Sequence, residues 1–192
     1  MPPNTEGRLA KADVERLYAF NDAIEALYDP DFAAGQHASA GTTRGEAFAP
    51  ENALDGDFDT YWAAGEGRTS DTLEVRLDEP AHFNVVRLQE PIDMGQRVAA
   101  YRVEVWQDDA WHTLNKGITV GYRKLDRFVP VTARRVRLVI EDARASPLIN
   151  AFGLHFDAHT PATAQSGTSD TGEVSRTVIP LDLQPRGEVA AA

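Results

Sequence analysis

Apolar residues recur with two different periods along this chain. Between Asp13 and Leu27 the apolar positions Val14, Leu17, Tyr18, Ile24 and Leu27 fall near helical spacing, and Glu15, Arg16, Asp22 and Glu25 take the opposite face. Asp13 stands where a helix N-cap is expected. Asp29-Pro30 closes the segment, because a residue before proline is disfavoured in helical conformation. The spacing predicts one amphipathic helix. Its apolar face either packs on the chain's own domain or docks on a neighbouring one, and the pattern leaves both open.

From Gln36 to Phe156 the period is two. Leu73, Val75 and Leu77 alternate with Glu74 and Arg76, and Tyr101, Val103 and Val105 with Arg102 and Glu104. Val136, Leu138 and Ile140 alternate with Arg135 and Arg137, and Phe152, Leu154 and Phe156 with Gly153 and His155. The stretches 83–89 and 124–129 are further strand candidates. Asp78-Glu79-Pro80, Pro91–Gly95, Asp108-Asp109 and Lys116-Gly117 punctuate them as turns. Short half-buried strands at this spacing predict an all-β antiparallel β-sandwich, a jelly roll of about eight strands preceded by the single helix. Beyond Asp157 the run T-P-A-T-A-Q-S-G-T-S-D-T-G has too little apolar surface to fold alone and is expected to be a disordered tail. Within that tail, Thr177–Leu183 is a short apolar run. The expected division is a linker helix over 1–33, a sandwich over 34–157 and a polar tail over 158–192.

Composition narrows the function. A chain of 192 residues with 42% hydrophobic content suits one ordinary domain with appendages. A formal net charge of −11 argues against nucleic acid and against an anionic membrane surface, and says little about neutral partners such as sugars. With no cysteine, neither a disulfide framework nor a zinc ribbon can form. No apolar run reaches membrane-spanning length, and the start M-P-P-N-T-E-G shows no signal peptide.

The chemistry-bearing stretch is P-E-N-A-L-D-G-D-F-D-T-Y-W over 50–62. Asp55, Asp57 and Asp59 alternate around Gly56, Thr60 adds a hydroxyl, and Tyr61 and Trp62 then turn to large apolar surface. Oxygen ligands tied to a core by aromatics suit a hard cation held as a structural clamp, and an ordinary solvated acidic turn is the competing reading. An EF-hand is excluded, because its sixth position needs glycine and here holds Thr60. Catalysis finds no footing. A retaining glycosidase needs two carboxylates about 5 Å apart on a sugar-binding scaffold, and no acid here sits in an isolated apolar context. No serine lies in G-x-S-x-G, the histidines show no H-x-x-x-H on a helix, and Gly65-Glu66-Gly67 lacks the lysine of a phosphate loop.

With these elements in place, P-E-N-A-L-D-G-D-F-D-T-Y-W (50–62), L-E-V-R-L-D-E-P (73–80) and A-R-R-V-R-L-V-I (133–140) resemble a coagulation-factor 5/8 type C, or discoidin-like, domain, also known as carbohydrate-binding module family 32. F-N-V-V-R-L-Q-E-P-I-D-M-G-Q-R-V (83–98), G-I-T-V-G-Y-R-K-L-D-R-F (117–128) and I-N-A-F-G-L (149–154) look like the C-terminal discoidin-like domain of family 29 α-L-fucosidases. The helix region R-L-A-K-A-D-V-E-R-L-Y-A-F resembles the segment joining such a domain to the fucosidase barrel. The resemblance runs over roughly residues 8–156.

It implies a galactose-binding-like jelly roll with a calcium ion near one edge. By motif match the ion takes the carbonyl of Asn52, the carboxylate of Asp55, the backbone of Asp57, both oxygens of Thr60 and the carbonyl of Asn150. Ala151 stands where the family supplies a carboxylate, which implies a weakened site or replacement by Asp59 or water. It also implies a non-catalytic module that binds fucose- or galactose-type glycans and serves a glycoside hydrolase catalytic domain. Forked donors and an aromatic face suit a sugar ring. Arg68, Asp93, Gln96, Arg97 and Tyr122 are the candidates on the loops. The competing reading has Gln96 and Arg97 pinning their loop and Tyr122 packing. Trp62, Trp106 and Trp111 read as core or rim, with Trp62 as a plug behind the acidic loop. A purely structural module bracing a catalytic barrel is the alternative function.

Overall fold

The computed structural model describes residues 10–158. The helix α1 spans Lys11–Tyr28. It begins two residues before the predicted cap: Ala10 holds the N-cap position without a side-chain hydrogen bond, and Asp13 lies in the first turn. Asp29 ends the helix as expected, its N–H donating to the Glu25 carbonyl at 3.0 Å.

Eight strands follow among the described residues: β1 (His37–Ala40), β2 (Trp62–Ala63), β3 (Asp71–Gln89), β4 (Val98–Gln107), β5 (Ala110–Gly117), β6 (Lys124–Ala143), β7 (Leu148–Ile149) and β8 (Ala151–His155). All pairings are antiparallel. The main order is β1-β3-β6-β4-β5, β8 adds to β3, and β2 pairs β7. This is the jelly roll that the period-two pattern predicts.

Two of its strands are long and change partners along their length. The first half of β3 lies between β1 and the second half of β6, with Leu73 opposite both Ala40 and Leu138. Its second half lies between β8 and the first half of β6, with Leu88 opposite Phe152 and Lys124. The ladder slips between Arg76 and Ala81. Asp78-Glu79-Pro80 therefore forms a bulge inside one strand rather than a turn between two, because proline and acids are tolerated where the ladder is already interrupted. Asp108 and Asp109 do form a turn. Both have positive φ, 49° and 58°, and Gln107 faces Ala110, the geometry of a two-residue hairpin whose twist matches its strands.

Burial follows from this layout. In the first half of β3, Leu73, Val75 and Leu77 are buried while Arg76 is exposed. The second half of β3 and all of β8 are almost wholly buried. The segment after α1 covers them: Phe32 N–H donates to Leu154 O at 2.9 Å, and Leu154 N–H donates to Asp31 Oδ1 at 3.0 Å. Both halves feed one core that includes Leu73, Val75, Val103, Val136 and Leu138 with Val86, Leu88, Phe152 and Leu154. Each such side chain contributes roughly 1.5–3 kcal/mol on burial. Trp62 belongs to this core and is fully buried, as the plug reading expects. The polar tail expected over 158–192 lies outside the described residues from position 159 onward.

Candidate functional site

The acidic loop is a compact knot of oxygens. A 3-10 turn over Pro50–Ala53 leads into buried Ala53 and Leu54, and Gly56 then adopts φ +77°, which a side chain would strain. The Asp55 carboxylate accepts from Asp57 N–H at 2.8 Å and from the Thr60 hydroxyl at 2.6 Å. The same hydroxyl lies 3.1 Å from the Asp57 carbonyl. Asp57 in turn accepts from Asp59 N–H at 2.9 Å. Asn52 donates to Ala47 O and Tyr61 O, closing the base of the loop, and Trp62 Nε1 donates to Thr42 O at 3.1 Å, fixing it to the core. Asn150 reaches across from the turn between β7 and β8, its amide donating to Phe58 O at 3.0 Å.

Asp55, Asp57 and Thr60 are thus brought together, with Asn52 and Asn150 as braces around them. Among the described residues no three His, Cys, Asp or Glu side chains gather as a metal cluster. The knot brings the Asp55 and Asp57 carboxylates together with the Asp57 carbonyl and the Thr60 hydroxyl, an all-oxygen set of the kind a hard cation takes. Beside it lies a cavity of about 140 Å³ whose wall includes Asp55, Asn150, Ala151, Arg87 and Asp31. Arg87 pairs with Asp31 at 3.3 Å in that wall.

Four of the predicted sugar-contacting residues, Asp93, Gln96, Arg97 and Tyr122, sit on two neighbouring loops, and the residue that joins those loops escaped the sequence reading. Glu90 is buried at the end of β3. Its Oε1 accepts from the N–H groups of Arg97 and Val98 at 2.7 and 2.9 Å, and its Oε2 accepts from Gly121 N–H at 2.8 Å. The loop over 91–97 and the loop over 118–123 are thereby tied to one carboxylate. Arg97 donates through its guanidinium to Ser146 O at 2.8 Å, and Arg144 N–H donates to Arg97 O at 2.8 Å. These are pinning contacts. Asp93, Gln96 and Tyr122 remain exposed, with the Gln96 amide alongside Gly121. Arg68 is exposed on a third loop. That loop joins the rim at one remove, since Ala64 N–H donates to Pro147 O at 3.0 Å next to Ser146. Glu90 left a faint trace in sequence, as an acid directly following the apolar run of β3.

A second missed cluster lies at the foot of α1. His155 is fully buried, 3.7 Å from Asp31, with the Tyr28 ring edge-on at 5.5 Å and Arg87 nearby. Burial holds its pKa below the usual histidine value; Asp31 opposes that shift and Arg87 reinforces it.

The F5/8 type C domain family matches residues 37–152. "Putative alpha-L-fucosidase 1" of Oryza sativa subsp. japonica is 40% identical over 162 residues, covering 82% of this chain and 31% of the rice protein. The crystal structure of a putative alpha-L-fucosidase from Bacteroides thetaiotaomicron superposes with a TM-score of 0.76 at 27% identity, over 81% of this chain and 35% of that one. Chitosan-binding module 2 from a Paenibacillus sp. IK-5 chitosanase/glucanase, solved with chitotriose, shares the fold at a TM-score of 0.59 and 19% identity, over 65% of this chain and 99% of the module. The chain spans about a third of the length of the rice relative it matches.

Proposed function

Since the chain belongs to the F5/8 type C domain family, we propose that it is a non-catalytic carbohydrate-binding accessory module of an α-L-fucosidase-like glycoside hydrolase. On this reading it holds fucose- or galactose-type glycans at the rim formed by the loops 64–70, 91–97 and 118–123. The observation that carries the reading is the rim itself. Glu90 fixes two loops whose exposed groups include a carboxylate, an amide and a phenol, Asp93, Gln96 and Tyr122, together with the apolar Ile92, Met94 and Ile118. An arginine, Arg68, is exposed on the loop that follows β2, whose start is held by the Ala64 N–H to Pro147 O bond. Planar amides and guanidinium groups match vicinal hydroxyls, and an aromatic face receives the C–H side of a pyranose. Arg97 contributes by pinning the rim.

A calcium ion belongs to the same proposal. The Asp55 carboxylate, the Asp57 carbonyl and the Thr60 oxygens would hold it, with the carbonyls of Asn52 and Asn150, and it would supply structural rigidity to the loop behind Trp62.

Calorimetric titration of the chain with L-fucose, galactose and N-acetylgalactosamine tests the reading. Saturable heat at millimolar sugar, lost in Gln96→Ala and Tyr122→Ala, supports it. A folded sample giving no heat leaves the second reading, a structural brace without sugar binding. The engagement of the Arg97 guanidinium with the carbonyl of Ser146 favours that alternative.

A further inference from the structure

α1 ends on Tyr28, and this ring joins two parts of the molecule that lie far apart in the chain. On one side it is seated on the sandwich. It meets the His155 ring at 5.5 Å with the planes at 87°, and the Arg87 guanidinium lies 5.7 Å from its centre. The residues just after it are fixed to β8: Phe32 N–H donates to Leu154 O at 2.9 Å, and Leu154 N–H donates to Asp31 Oδ1 at 3.0 Å. On the other side stands Arg123, from the loop over 118–123, with its guanidinium 5.7 Å from the Tyr28 ring centre. The same guanidinium lies 5.7 Å from the ring of Tyr122.

Tyr122 is the phenol of the proposed rim and is 64% exposed. Glu90 fixes the backbone beside it, by taking the Gly121 N–H at 2.8 Å and donating its own N–H to Gly121 O at 2.9 Å. Those bonds place the loop and leave the Tyr122 ring to be ordered by something else. An exposed side chain loses rotamer freedom when a ligand closes on it, and ordering it beforehand removes that cost. A guanidinium is flat and weakly hydrated and stacks on aromatic faces, so one arginine can serve two rings. Tyr28 is itself held, which gives Arg123 a fixed partner against which to order Tyr122. A contact of this kind at an exposed site changes an equilibrium constant roughly two- to fivefold.

We propose that Tyr28 is a positioning residue for the rim: it holds Arg123, and Arg123 holds the Tyr122 ring in place to receive the sugar. The effect on affinity rests on the sugar-binding reading, whereas the ordering of the loop does not. Rim affinity is then linked to the seating of the last turn of α1, and a bound sugar tightens that seat by the same factor.

The test uses the full chain with Tyr28→Phe, Tyr28→Leu, Arg123→Gln and the double variant Tyr28→Leu/Arg123→Gln. Without sugar, backbone order parameters from nuclear magnetic resonance are expected to fall at 121–123 in Tyr28→Leu and Arg123→Gln, and to hold in Tyr28→Phe, which keeps the ring. In titrations with L-fucose, galactose and N-acetylgalactosamine, both single variants are expected to bind about two- to fivefold more weakly, and the double variant no more weakly than either. Unchanged order at 121–123 in both single variants overturns the proposal. So do losses of affinity that add in the double variant, since the two residues would then act by separate routes. A loss in Arg123→Gln with none in Tyr28→Leu overturns it in favour of Arg123 as a direct sugar contact. Should Tyr28→Leu fail to fold, Arg123→Gln, on an exposed loop, decides by the same order parameters. If no sugar gives heat with any of the chains, the sugar-binding reading fails, and the order parameters alone decide whether Tyr28 positions Tyr122.

Discussion

Glu90 Oε2 accepts the backbone N–H of Gly121 at 2.8 Å, across 31 positions of sequence, while the other oxygen of the same carboxylate accepts two N–H groups from the 91–98 segment. A reciprocal backbone bond, Glu90 N–H to Gly121 O at 2.9 Å, doubles the link. One buried anion thus sets the spacing of the two loops that carry Asp93, Gln96 and Tyr122. Glu90→Gln keeps the shape but turns one acceptor into a donor facing N–H groups, and is expected to cost about 2 kcal/mol; Glu90→Ala is expected to cost about 3 kcal/mol or more. Denaturant midpoints measure both. Hydrogen exchange is expected to rise in 91–98 and 118–123 and to stay unchanged in β1. Uniform loss of protection throughout the sandwich would refute a loop-specific role.

The buried His155 predicts a pH dependence. Its pKa in the folded protein lies below the ordinary 6.5, chiefly through burial and with Arg87 contributing against the opposing Asp31. Above pH 6.5 both folded and unfolded chains hold it neutral, and its effect on stability is flat. As pH falls below 6.5 the unfolded chain takes up the proton first, so stability drops until the folded-state pKa is reached. Melting temperatures between pH 8 and pH 5 are expected to fall more steeply for the parent than for His155→Phe. Parallel curves would remove His155 as the cause. Because Tyr28 packs on this ring, loss of α1 helicity in the same pH window is the accompanying signal.

These examples show which parts of the molecule were legible in its sequence. The strands around Leu73–Leu77, Tyr101–Val105 and Val136–Ile140 announced themselves because one face of each is buried and alternation records it. β5 did not: it is an edge strand, and A-W-H-T-L-N-K-G buries too little to leave a period. β1, H-A-S-A, is short and small-sided for the same reason. The bulge at Asp78-Glu79-Pro80 read as a turn because bulges and turns tolerate the same residues. The acidic loop was legible because its hydrogen bonds are local, spanning two to five positions. The tie from Glu90 to Gly121 and the Asp31–Arg87–His155 cluster were not, since those partners lie 31 to 124 positions apart and only the folded topology unites them.

The oxygen knot gives a direct test of the proposed ion. If calcium joins Asp55, Asp57 and Thr60, the melting temperature is expected to fall by several degrees on adding chelator and to recover with excess calcium. Asp55→Ala is expected to reproduce the low value and to abolish the response to both reagents. With only one carboxylate among the proposed ligands, affinity is expected at the weak end for calcium sites, so the recovery should need micromolar to millimolar ion. A melt indifferent to chelator and to added calcium would leave the loop as a self-sufficient hydrogen-bonded turn.

Gly117 closes β5 directly over Tyr101, and the contact admits no side chain. A Cβ at position 117 would lie too close to the Tyr101 ring, whose carbons and hydroxyl oxygen are its nearest neighbours. Tyr101 cannot yield easily. It is buried, and its hydroxyl donates to Asp126 at 2.6 Å, with burial and that bond together raising the phenol pKa far above its usual value. Swinging the ring aside would strand the Asp126 carboxylate, itself buried on β6, with Lys124 at 3.8 Å as its one further charged partner among the described residues. Gly117→Ala is therefore expected to destabilise the chain by about 1–3 kcal/mol through overpacking. Tyr101→Phe is expected to cost about 1–2 kcal/mol through the unpaired carboxylate. The double variant Gly117→Ala/Tyr101→Leu relieves the clash with a smaller side chain, so the added cost of Gly117→Ala should shrink when measured in the Tyr101→Leu background. Denaturant unfolding of the four chains decides it. Strict additivity would show that Gly117 is set by the backbone rather than by the ring above it.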